Sequence, residues 1–160
     1  MNALEPRRRG AHALDPTDRT ILTALRANAR IPYADLARIV GLSAPSVADR
    51  VKRLEQLGVI TGYHASVSPT ALGLGVVALV GVEQADEGEQ DAIADALAAV
   101  PEVEDCWFVA GDESFVLKVR VADVDGLEQL LGRLRRISGI ARMRTTVVLS
   151  TRWEGRQWQE

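Results

Sequence analysis

The chain has 160 residues, is 47% hydrophobic and 26% charged, and has a formal net charge of −3. That is enough apolar content for one medium domain or two small ones, and the overall charge argues neither for nor against a polyanionic partner. The only cysteine, Cys106, excludes an intrachain disulfide, and the longest apolar run, residues 72–82, falls well short of the roughly 20 residues a membrane span needs. A soluble cytoplasmic protein with no membrane contact is therefore expected. The "RRR" run at residues 7–9 has the charge of an export signal, but no apolar stretch follows it.

Charge is unevenly divided. Residues 1–64 hold ten Arg or Lys against six Asp or Glu, a balance of +4, and residues 65–160 hold nine against sixteen, a balance of −7. A basic first part joined to an acidic second part suggests a polyanion-binding module attached to something else.

Residues 1–13 lack apolar periodicity and read as a flexible basic tail. "LDPTDRTILTALRANAR" reads as a helix: Asp15 caps it, Pro16 suits its first position, and Asp18 lies near the positive end of its dipole. Ile21, Leu22 and Leu25 form its buried stripe. "IPYADLARIVG" is a second helix with Leu36, Ile39 and Val40 inward and small Ala37 where helices cross. Gly41 stops it, and Ser43 starts a third. In that helix Val47, Val51, Leu54 and Leu57 share one face, and Gly58 ends it. "VITGYHASVSP" reads as a short hairpin or strand pair bent at Gly62, and residues 14–64 form the first domain. Residues 65–74 are the expected linker.

In residues 75–153 the order is strand, helix, strand, strand, helix, strand. "GVVALVGVE", "VEDCWFVAG", "SFVLKVRVAD" and "IARMRTTVVLSTRW" are the strands. "DEGEQDAIADALAAV" and "VDGLEQLLGRLRRI" are the helices, with Ile93, Leu97 and Val100 inward in one and Leu127, Leu130, Leu131 and Leu134 in the other. This is the ferredoxin-like βαββαβ arrangement, an antiparallel sheet with both helices on one face. The fold class is thus α+β. Residues 76–82 and 147–149 are apolar at both parities, so both sheet faces read as buried. The chain's own helices cover only one, and a second copy packed sheet to sheet is the simplest cover for the other. Cys106 is expected as a small buried group, and Trp107, of opposite parity, faces the partner or a pocket. Trp153 and Trp158 lie in a polar tail.

The joint between the second and third helices is a helix-turn-helix, whose second helix enters the major groove with its first turns against base edges. Burying Val47, Val51 and Leu54 turns Ser43, Ser46, Asp49, Arg50 and Arg53 outward. Ser43 and Ser46 are short donors at the helix start, Arg50 has the reach for guanine N7 and O6, and Lys52 and Arg53 suit phosphates. The implied partner is double-stranded DNA. Two other readings remain. An enzyme on a ferredoxin-like domain lacks support, since no catalytic cluster, metal spacing or phosphate-cradling loop is present, and no metal, cofactor or catalytic residue is assigned. An RNA-binding sheet would stack bases on aromatics that the central strands lack.

Across residues 14–151 the chain resembles the Lrp/AsnC (feast/famine) transcription factors. The resemblance rests on "LDPTDRTILTALRANARIPYADLARIVGLSAPSVADRVKRLEQLGVITGY", and then, in order, on "SPTALG", "AGDESFVLKV" and "RTTVVL". It implies a winged helix-turn-helix and a C-terminal domain that dimerises, often assembles to octamers, and binds an amino acid or related effector between subunits. It also implies an effector site at Gly111, Asp112, Glu113 and Ser114, with Met143, Thr145 and Thr146 from the start of the final strand. There the turn amides donate to a carboxylate, Asp112 or Glu113 accepts from an ammonium, and Thr145 or Thr146 does either. Ser114 stands where many relatives carry a second acid.

Overall fold

The computed structural model describes residues 14–155; the expectations for residues 1–13 and for Trp158 lie outside them. The chain divides into two compact units, the first ending at Ser66 and the second beginning at Val67.

The first unit holds α1 (Pro16–Ala27), α2 (Tyr33–Val40) and α3 (Ala44–Gln56). Asp15 caps α1 in a capping box, accepting from the Asp18 amide at 2.7 Å while the Asp18 carboxylate reaches back to the Asp15 amide. This satisfies two of the donors that a helix start leaves unpaired. Gly41 and Gly58 both take positive φ, 69° and 68°, where a side chain would be strained, and they stop α2 and the turn after α3. Ser43 caps α3 by accepting from the Ser46 amide. Ile21, Leu25, Leu36, Ala37, Val47, Val51 and Leu54 form one buried cluster. Ile39 is not part of it. It is 54% exposed, and Leu36 and Ala37 are the buried residues of α2 because they share the face turned to the other two helices.

The expected hairpin after α3 does not form. The amides of Val59 and Ile60 donate to the Leu54 carbonyl at 2.9 and 3.2 Å, both side chains pack on the three-helix core, and the Tyr63 hydroxyl donates to Glu55 at 2.8 Å. Bonds back to α3 thus replace a strand ladder, and residues 61–68 carry no strand.

The second unit opens with a 3-10 turn at Thr70–Leu72. It continues as β1 (Val76–Gln84), α4 (Gln90–Ala98), β2 (Val103–Phe108), β3 (Phe115–Val121), α5 (Val124–Leu134) and β4 (Ile140–Val148). The sheet is antiparallel in the order β2-β3-β1-β4, as the ferredoxin-like reading requires. Ala78, Val80 and Val82 of β1 join Phe115, Leu117, Val119 and Val121 of β3 against Ile93, Leu97, Leu127, Leu130 and Leu134 of the helices.

By register the opposite face carries Val77, Leu79 and Gly81 of β1, Val116, Lys118 and Arg120 of β3, Trp107 of β2, and Arg144, Thr146 and Val148 of β4. No helix of the unit covers it. The expectation that both faces are apolar holds for β1 but not for β3. Lys118 and Arg120 are held there by Glu104 and by Glu154, which reaches back from beyond β4. Leu79 and Trp107 remain exposed. Cys106 is exposed rather than buried, because β2 is an edge strand with a neighbour on one side only.

Candidate nucleic-acid interface and effector site

On α3, burial of Val47, Val51 and Leu54 leaves Ser43, Ser46, Asp49, Lys52 and Arg53 exposed. The hydroxyls of Ser43 and Ser46 bond to each other at 2.8 Å while Ser43 also caps the helix. One hydroxyl hydrogen of the two therefore stays available at the helix start. Among the described residues Lys52 forms no ion pair.

Arg50 departs from the outward orientation expected of it. Its Nη1 donates to Asp15 Oδ2 at 2.6 Å and to Asp18 Oδ1 at 2.9 Å, leaving the side chain 30% exposed. Arg53 Nη2 donates to the other oxygen of Asp18 at 2.6 Å. Asp18 is only 1% exposed and answers two guanidinium groups. The Arg50 hydrogen bond, and then the Asp18 amide, hold the Asp15 carboxyl below its ordinary range, and the two aspartates raise Arg50 in turn. The arginine thus closes α3 onto the start of α1 instead of pointing at a groove. Sequence reasoning missed Asp15 and Asp18 in this role because their capping function already accounted for them. The available signal was the three-residue spacing shared by Asp15/Asp18 and Arg50/Arg53.

In the second unit Gly111 and Asp112 form an exposed turn between β2 and β3, as expected. A cavity of about 180 Å³ beside it is lined by Gly81, Glu83, Asp112, Glu113, Arg142, Met143 and Arg144. Glu113 is ion-paired with Arg144, and Glu83 lies 3.6 Å from Arg142. The expected residues do not all meet there. The Ser114 hydroxyl accepts from the Gln84 amide at 3.3 Å, so it is engaged within the sheet. Met143 borders the cavity while packing on the core. Thr145 shares the parity of Val80, on the helix side, whereas Thr146 is in register with Leu79 on the open face. The two threonines therefore lie on opposite sides of the sheet. The residue of the final strand that faces the turn is Arg144, the register partner of Gly81. Among the described residues no group of three or more His, Cys, Asp or Glu is placed to hold a metal ion, and no helix is long and apolar enough to cross a membrane.

Comparison with known proteins places both units in one family. Residues 75–158 match the Lrp/AsnC ligand binding domain and residues 14–55 the AsnC-type helix-turn-helix domain. The chain is 41% identical over 145 residues to the HTH-type transcriptional regulator LrpA of Mycobacterium tuberculosis, covering 91% of this chain and 96% of that protein. It is 44% identical to the proline dehydrogenase transcriptional activator of Rhodobacter capsulatus, covering 74% and 79%. A feast or famine regulatory protein of M. tuberculosis, solved in complex with L-methionine, superposes with a TM-score of 0.86 at 41% identity, covering 91% of this chain and 99% of that one. A Neisseria meningitidis regulator, also solved with L-methionine, superposes with a TM-score of 0.83 at 27% identity, covering 88% and 93%. These relatives carry the names of regulatory proteins, most of them regulators of transcription. With a helix-turn-helix unit followed by a four-stranded ferredoxin-like unit, each carrying its family match, this chain belongs to the Lrp/AsnC family of transcriptional regulators.

Proposed function

We propose that α3 reads duplex DNA and that an amino acid bound in the second unit modulates this. The exposed face of α3 carries the first part: Ser43, Ser46 and Asp49 lie at its start, where base edges are met, with Lys52 and Arg53 further along for phosphates. Arg50 acts by fixing the helix rather than by reading a base. The effector site is the cavity beside Asp112, and the two relatives solved with L-methionine support an amino acid as its occupant. The open face, with Leu79 and Trp107 exposed on it, supports a homodimer built sheet to sheet, and assembly to an octamer extends the same reading. Work on DNA puts the protein in the cytoplasm.

The test is to recover bound sequences from a random duplex pool with and without amino acids. A defined motif whose enrichment changes with one amino acid is expected; equal recovery of all sequences overturns the reading. If about six phosphates are neutralised per dimer, log affinity falls against log salt with a slope of about −5. Asp112→Ala is expected to abolish effector binding and leave effector-free DNA binding intact. Linkage adds a check: operator DNA must shift effector affinity by the factor that effector shifts DNA affinity.

A further inference from the structure

The effector cavity holds its own pair of opposite charges. Glu113 lies just before β3, and its side chain crosses the open face above β1 to reach Arg144 on β4. Gly81 leaves the room for this crossing. A Cβ at that position would stand 2.7 Å from Glu113 Cγ and 3.0 Å from its Oε1. Arg144 is 74% exposed in its side chain and Glu113 is 21% exposed, so the pair sits at the mouth of the cavity with water on the arginine side. Ion pairs with an exposed partner are weak, because water screens them and both side chains regain freedom on parting.

A free amino acid carries the same two charges, a carboxylate and an ammonium, within a few bonds of each other. An arginine fork suits the first and a carboxylate the second. We propose that the Glu113–Arg144 pair occupies the place of a zwitterion and is exchanged for one. The incoming carboxylate takes Arg144, the incoming ammonium takes Glu113, and the net charge of the site is unchanged. This rests on the effector reading above and adds a rule of selection. A ligand with only one of the two charges separates the pair and leaves Glu113 or Arg144 without its counter-charge. The site therefore rejects singly charged analogues by the group it strands as well as by the contact it loses. A cavity of about 180 Å³ is also small beside the roughly 300–1,000 Å³ of pockets for drug-sized ligands, which favours one small metabolite.

The test is calorimetric titration of the full chain, first with the twenty L-amino acids and then with the N-acetyl and amide derivatives of the tightest binder. For the unaltered chain both derivatives are expected to bind at least roughly tenfold more weakly than the parent, the scale of one lost charged hydrogen bond. Glu113→Gln should weaken the parent and the amide but strengthen the N-acetyl derivative, whose carboxylate then finds Arg144 free. Arg144→Gln should do the reverse and favour the amide. Circular dichroism of both variants checks that they remain folded. Equal weakening of all three ligands by each variant, or no effect from either, overturns the exchange. If Asp112→Ala still abolishes binding in that case, the effector site itself stands. If no amino acid binds the unaltered chain, the effector reading falls and the exchange falls with it.

Discussion

Arg50 of α3 donates to Asp18 of α1 at 2.9 Å, and Asp18 is all but completely buried. A buried carboxylate needs partners, since an ion stripped of water and left alone is strongly unfavourable. Arg50 and Arg53 supply them, and in doing so they fix the angle of α3 against α1. Arg50→Ala is therefore expected to destabilise the first unit by about 1.5–3 kcal/mol, the range for hydrogen bonds to charged groups. Arg50→Ala and Asp18→Asn should be clearly non-additive when combined, because they remove the same bridge. Thermal melting of the two single variants and the double variant checks this. Additive losses would show that the bridge contributes nothing as a unit.

Lys52 behaves differently because it stands exposed on α3. Lys52→Ala is expected to leave the melting temperature unchanged, to weaken all duplexes alike and to lower the salt slope by about 1. Asp49→Ala or Ser46→Ala, at the start of the same face, should instead change which bases are preferred, by about 1–3 kcal/mol at the affected position. Binding measured on a matched and a mismatched duplex at two salt concentrations separates the two kinds of residue.

Neighbouring residues of β1 should give opposite results. Val80 is 0% exposed, in the helix-covered core, while Leu79 is 40% exposed on the open face. Val80→Asp is expected to cost about 3 kcal/mol or more by burying an unpaired charge and to unfold the second unit. Leu79→Asp should preserve its circular dichroism and its melting transition at low concentration but leave the protein monomeric by sedimentation, whereas the unaltered chain is expected to run as the proposed dimer. A folded, fully dimeric Leu79→Asp protein would count against sheet-to-sheet assembly.

Acid should loosen both units. Arg50 holds the Asp15 carboxyl below 3.8. In the second unit Arg133 lowers Glu102 and Lys118 lowers Glu154. Burial alone would raise Glu104, but the bonds from Arg120 and Lys118 outweigh it and carry it below 4.5. A carboxyl whose folded value is depressed contributes stability that is present above its unfolded value and lost as pH falls through the folded one. Stability is thus expected to drop from about pH 4.5 downward for the second unit, and at slightly lower pH for the first. Glu104→Gln with Glu154→Gln should flatten that drop in the second unit while lowering its stability at neutral pH. Melting curves across the acid range check both.

The sequence by itself determined helices α1–α5, strands β1–β4 and their order, because those depend on local chemistry, but not the run after α3, where bonds from Val59 and Ile60 back to Leu54 replace the expected hairpin. The Asp15 and Ser43 caps, the glycine stops at Gly41 and Gly58, and the four-and-three spacing of Val47, Val51 and Leu54 act within a few residues of themselves. Only the tertiary structure decided what the long polar side chains do. Arg50 lies 32 residues beyond Asp18 in the chain, and Glu113 and Arg144 are 31 apart, so no local pattern couples them. A flexible arginine reaches several directions from one backbone position, and the element packed beside it selects among them. The same holds for Thr145 and Thr146: adjacent in sequence, they lie on opposite sides of the sheet, and the register of β4 against β1 decides which of them faces the helices and which the open face.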